Sequence, residues 1–129
     1  MVIWATSKAN AGNNRCLGLF ADAQVACVAT PDAKTVIGPM ARAGTVDSIT
    51  ALAGLAPLVG KSWVVQVLDA GTDGDASTGT VVAACTVSAL STTCGASTSG
   101  SVAAGHFLAV QVTTSDGAAN TSWKVTFQN

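Results

Sequence analysis

The stretch Ser62-Trp63-Val64-Val65-Gln66-Val67-Leu68 decides the fold. Trp63, Val65 and Val67 alternate with Val64, Gln66 and Leu68, which is the two-residue period of a β-strand. Both faces are apolar, so the strand is predicted to be central and covered on both sides. Pro57-Leu58-Val59-Gly60-Lys61 reads as the turn before it, and Asp69 to Gly79 as a polar Gly/Asp loop after it. Further out, Asn14 to Phe20 and Gln24 to Ala29 flank Ala21-Asp22-Ala23 and are predicted to form a hairpin. Lys34 to Met40, Thr45 to Leu52, Thr80 to Ser88, His106 to Thr113 and Thr121 to Phe127 supply further strands, with Thr92-Thr93-Cys94 pairing back toward Cys85.

The Ser/Gly/Ala stretch from Gly95 to Gly105 is predicted to connect strands. Only Ile49 to Leu58 hints at a helix, and Gly54 and Pro57 oppose it. The expectation is an all-β fold, a single antiparallel β-sandwich of eight or nine short strands in jelly-roll form. Trp63, Val65, Val67, Phe107, Leu108, Val110, Trp123, Val125 and Phe127 should supply its core. Residues 15–129 are assigned to the sandwich and residues 1–14 to an N-terminal arm. In that arm Val2, Ile3 and Trp4 form an apolar tip expected at a subunit contact, because such patches mark contact sites.

A length of 129 residues fits one domain. Charged residues make up only 10%, against about 25% in average soluble proteins. The surface must therefore be built from Thr, Ser, Asn, Gly and Ala, which suits a particle or extracellular surface whose faces are taken up by neighbours. Six basic and seven acidic residues give a net charge of −1, without a Lys/Arg cluster to neutralise successive phosphates, so no nucleic-acid partner is expected. The longest apolar run, Ile49 to Val59, is interrupted by Thr50, Gly54 and Pro57 and falls short of the ~20 residues of a span, so no membrane partner is expected. Met1 to Lys8 has no basic start followed by a long apolar run, so no secretory signal is expected there.

Cys16, Cys27, Cys85 and Cys94 include no Cys-x-x-Cys spacing, and His106 is the only imidazole, which favours disulfides over zinc. Three connectivities are open; the local one, Cys16 with Cys27 and Cys85 with Cys94, needs only hairpin-like closure and is the expectation. Four buried thiols in a reducing compartment are the alternative. Bridges imply an oxidising final location, which the virion or an extracellular surface provides.

Catalysis needs a positioned nucleophile and base, paired carboxylates or a metal. Gly95-Ala96-Ser97-Thr98-Ser99 fails the Gly-x-Ser-x-Gly elbow at its fifth position, and His106 reads as a turn or strand-edge residue. Asp69, Asp73 and Asp75 could surround calcium, but Thr80 stands where an EF-hand places its acidic twelfth ligand, and Asp and Gly also favour turns. No enzyme, metal or cofactor is expected. Trp63 and Trp123 lie in apolar runs and read as core, leaving Trp4 as the candidate for stacking on a sugar.

From Ala43 onward the order of features is familiar: Ala43-Gly44-Thr45-Val46, Gly60 to Val67, Cys85-Thr86-Val87-Ser88, Val102 to Val112, and Ser122-Trp123-Lys124-Val125-Thr126-Phe127. This pattern resembles small β-sandwich domains of bacteriophage structural proteins, of tail-fibre, tip and capsid-decoration type. The resemblance covers about two thirds of the chain and departs at His106, where the family pattern carries an acidic residue. It implies a jelly roll, a homotrimer and other particle proteins as partners. The functional expectation is a non-enzymatic virion structural protein, a capsid decoration or fibre component. The alternative is a carbohydrate-binding or adhesive module on a cell or particle surface, with specificity in the loops Asp69 to Gly79 and Ser115 to Asn120.

Overall fold

The structure, a computed structural model, describes residues 2–7, 14–20, 24–27, 35–114 and 121–128. Among these residues nine strands follow one another: β1 Val2–Thr6, β2 Arg15–Leu19, β3 Gln24–Ala26, β4 Gly44–Ala53, β5 Ser62–Asp69, β6 Thr80–Ser88, β7 Thr93–Val102, β8 Leu108–Thr114 and β9 Trp123–Gln128. Among the described residues the only helical turn is a 3-10 turn, Ala76–Thr78. Every ladder is antiparallel. Hydrogen bonding runs along one path, β6-β5-β8-β2-β1-β9-β4-β7, with β3 attached to β2. The expected all-β antiparallel class is met, in the form of a single sheet nearly closed into a barrel.

The strand that decided the reading is β5, laddered to β6 on one side and β8 on the other. Trp63, Val65 and Val67 point inward and are fully buried, with Leu108, Val110, Val112, Trp123, Val125 and Phe127 in the same core. Trp63 and Trp123 meet edge to face with ring centroids 5.5 Å apart, an arrangement the ring quadrupoles favour. Phe107 departs from expectation and is only half-buried. It precedes β8, where its N–H donates to the Gly71 carbonyl and holds the chain to the β5–β6 loop.

Three assignments change. Val2–Thr6, expected to belong to an arm, is a strand paired with β9 along its whole length and with β2 through Ala5 and Leu19. Its inward residues are Ile3 and Ala5 and its outward ones Val2 and Trp4, so apolar outer positions disguise the alternation. Within the expected strand Lys34–Met40, the described part makes only an isolated bridge from Ile37 to Leu108, because Gly38 and Pro39 interrupt it.

The third change is the largest: Gly95 to Val102, read as a connection, belongs to the ten-residue β7. Its inner positions are Cys94, Ala96, Thr98, Gly100 and Val102, and its outer ones are Thr, Gly and Ser. Little in this composition favours a strand, and eight register pairs with β4 supply what side-chain propensity does not.

β6 and β7 form the two ends of the path and are joined by a short turn at 89–92, yet they ladder outward, to β5 and β4, and not to each other. The expected pairing of Cys94 back toward Cys85 takes the form of a disulfide between these strands, and Cys16–Cys27 bridges β2 to the residue after β3. Each strand also carries a bulge. Val82 is the extra residue opposite Val67 and Leu68, and β7 has one more residue than β4 between Val46 and Ser48. The Thr98 hydroxyl donates to the Val46 carbonyl inside that irregularity. At Gly100 the β7 backbone lies directly against the Val82 carbonyl, leaving no room for a Cβ. Two bulged strands thus meet through backbone contact and one covalent bond.

Candidate functional site

The strand registers sort the connections into two ends. One end holds the β4–β5 loop, the β6–β7 turn and the start of β9; the other holds the β5–β6 loop, the β7–β8 connection and the approach to β4. Asp69 closes β5 at the second end. Its carboxylate accepts from the Gly71 N–H at 2.9 Å and lies 2.9 Å from His106 Nδ1 through either oxygen. With the proton on Nδ1, His106 donates to it and fastens the β7–β8 connection to the β5–β6 loop. Sequence reasoning placed His106 at a strand edge, and it stands two residues before β8.

Asp73 accepts from the Asp75 N–H at 3.2 Å, and Asp75 from the Ser77 N–H at 2.9 Å and the Ser77 hydroxyl. Each carboxylate therefore caps the amide two residues ahead, the local turn chemistry of aspartate. Asp75 has its pKa lowered, chiefly by the Ser77 hydroxyl hydrogen bond. Among the described residues no three His, Cys, Asp or Glu side chains converge as metal ligands.

The outer face of β1 is the second candidate. Trp4 and Phe20 meet edge to face at 5.5 Å, and the Phe20 N–H donates to the Trp4 carbonyl at 3.0 Å. Both rings remain open to solvent, 42% and 44% exposed, with Val2 exposed beside them. Thr126 lies opposite Trp4 on β9, and Gln128 opposite Val2. Of the residues expected at a subunit contact, Val2 and Trp4 face outward, whereas Ile3 is fully buried in the chain's own core and is corrected to a core residue. Phe20 escaped sequence reading because it joins Trp4 only across the β1–β2 pair.

A shallow cavity of about 220 Å³ lies at the first end, lined by Leu52, Ala53, Gly54, Ser122, Trp123 and Lys124. The Trp123 indole nitrogen is buried without a hydrogen-bond partner. The loop 115–120, expected to carry specificity, lies outside the described residues.

Comparisons of the chain with protein-family models, curated proteins and solved structures gave no match. The functional reading accordingly stands on the geometry and on the residue pattern from Ala43 onward.

Proposed function

We propose that the chain is a non-enzymatic virion structural protein, a capsid-decoration or fibre component that packs as a homotrimer and against other particle proteins. The observation that carries this reading is the Trp4–Phe20 pair, two aromatic rings held in fixed geometry on an outer face and left open by their own chain. Aromatic anchors of this kind supply much of the binding energy at protein interfaces. The low charge of the chain and the local use of Asp73 and Asp75 in turns are in keeping with packing as its role. The two faces β1-β9-β4-β7 and β3-β2-β8-β5-β6 enclose one core, which supports reading the barrel as a flattened jelly roll.

Light scattering on the intact chain should give the mass of a trimer, and Trp4→Ser with Phe20→Ser should give a folded monomer. A strict monomer at all concentrations, with no binding to any particle, overturns the proposal.

A second reading rests on the same ring. Trp4 sits opposite the exposed Thr126 and near Gln128, so a stacking surface lies beside hydrogen-bonding groups, as a carbohydrate-binding or adhesive module requires. Saturable binding on a glycan array that Trp4→Ala abolishes would favour that reading over subunit packing.

A further inference from the structure

We propose that the end of the barrel bearing Leu55, Leu58, Val59 and Leu90 docks on an anionic phospholipid bilayer. The absence of a long apolar run bears only on spanning a membrane; a peripheral contact, against the expectation of no membrane partner, needs only apolar tips and a cationic surround. The tips are present. Pro57 is buried and anchors the β4–β5 loop, and the Lys61 N–H donates to the Leu58 carbonyl at 2.9 Å, closing a turn with Gly60 at φ 75°. That turn pushes Leu58 and Val59 into solvent, 62% and 81% exposed. On the neighbouring β6–β7 turn, closed by the Ser91 N–H on the Ser88 carbonyl, Leu90 is 85% exposed.

Leu90 carries an independent signal. Its φ is 68°, in the left-handed region that suits Gly or Asn and penalises a branched aliphatic side chain. A leucine here is unfavourable to the backbone and to solvation at once. Outliers of this sort collect where a side chain has work outside its own fold.

Charge selects the occupant. Among the described residues the half of the barrel with these tips holds Arg15, Lys61 and Lys124 and no carboxylate. The opposite half holds Asp47, Asp69, Asp73 and Asp75, with Arg42 and His106. Over the described residues the barrel is thus electrically polar from end to end. An anionic surface would attract the apolar end and repel the other. Stacking on the acidic end of a second copy would satisfy the charges but press aliphatic side chains against carboxylates that need water. A bilayer interface accepts both parts, the aliphatic tips among acyl chains and the cations among headgroups.

Co-sedimentation of the full chain with vesicles of phosphatidylcholine, alone and mixed with phosphatidylserine, tests this. The mixed vesicles should bind it and added salt should weaken the binding, because the steering charges are exposed and screened. Leu58→Ser with Val59→Ser should weaken binding about tenfold or more, and Lys124→Glu about fivefold or more. Val81→Ser, at the opposite end, should leave it unchanged. Leu90→Gly should lower vesicle binding while raising the melting temperature, two changes of opposite sign that a purely structural residue would not give. Absence of binding to the mixed vesicles overturns the proposal, as does wild-type binding by the folded Leu58/Val59 variant. Pelleting without vesicles that the same variants abolish would assign the end to a second copy of the chain and overturn the bilayer.

Discussion

β5 and β7 are both long strands of one barrel, and they are built on opposite principles. β5 lies between two ladders and fills the interior with Trp63, Val65 and Val67. β7 has a ladder on one side only, turns Cys94, Ala96, Thr98, Gly100 and Val102 inward, and presents hydroxyls and glycine to solvent. The first is held by the volume it buries. The second is held by its partner, by a disulfide and by a close backbone contact. A strand can therefore be specified by what it packs or by where its neighbours leave room, and the two respond differently to substitution.

Four variants would break or sharpen that contrast. Trp63→Ala empties the largest buried site on β5 and removes the edge-to-face partner of Trp123, so unfolding free energy should fall by about 3–5 kcal/mol in chemical denaturation. An unchanged transition would remove β5 as the centre of the core. Replacing Cys85 and Cys94 together by Ala should cost about 2–3 kcal/mol, since the bridge closes a short loop. Comparison of the transitions with and without reductant gives an independent check, once the other bridge is held constant.

Gly100→Ala places a methyl group on the Val82 carbonyl, and the shift this forces should cost about 1–3 kcal/mol. Hydrogen exchange ought to localise the loss to β6 and β7, and uniform loss of protection would contradict a local contact. Ser97→Ala, on the outer face of β7, should stay within about 0.5 kcal/mol of the parent, because no packing depends on that side chain. A cost near that of Gly100→Ala would mean that the outer face of β7 is covered.

The same contrast governs what the sequence could convey. β5, β8 and β9 were legible because bulky apolar residues alternate along them, and the core residues read from these stretches are buried apart from the half-buried Phe107 just before β8. β7 was not, since Ser and Gly carry a turn signal, Ala adds little strand propensity, and the eight pairs to β4 lie far away in the chain. β1 was hidden differently: Val2 and Trp4 face outward and Ala5 inward, so hydropathy does not follow the pleat. The cysteine pairing was accessible from spacing. The Trp4–Phe20 pair and the separation of charge among the described residues were not, because both arise only when the registers bring distant segments together.

The meeting of β6 with β7 bears on how copies of this chain behave when crowded together. The two terminal strands of an open sheet offer unpaired backbone groups on which a foreign strand can grow, the usual route to uncontrolled aggregation. Here those strands face each other, each is bent by a bulge, and a covalent bond holds them in place. Neither presents a long, flat template. With these two edges withdrawn as templates, an ordered contact between copies at the β6–β7 seam has to be made by side chains, where the sequence can choose the partner.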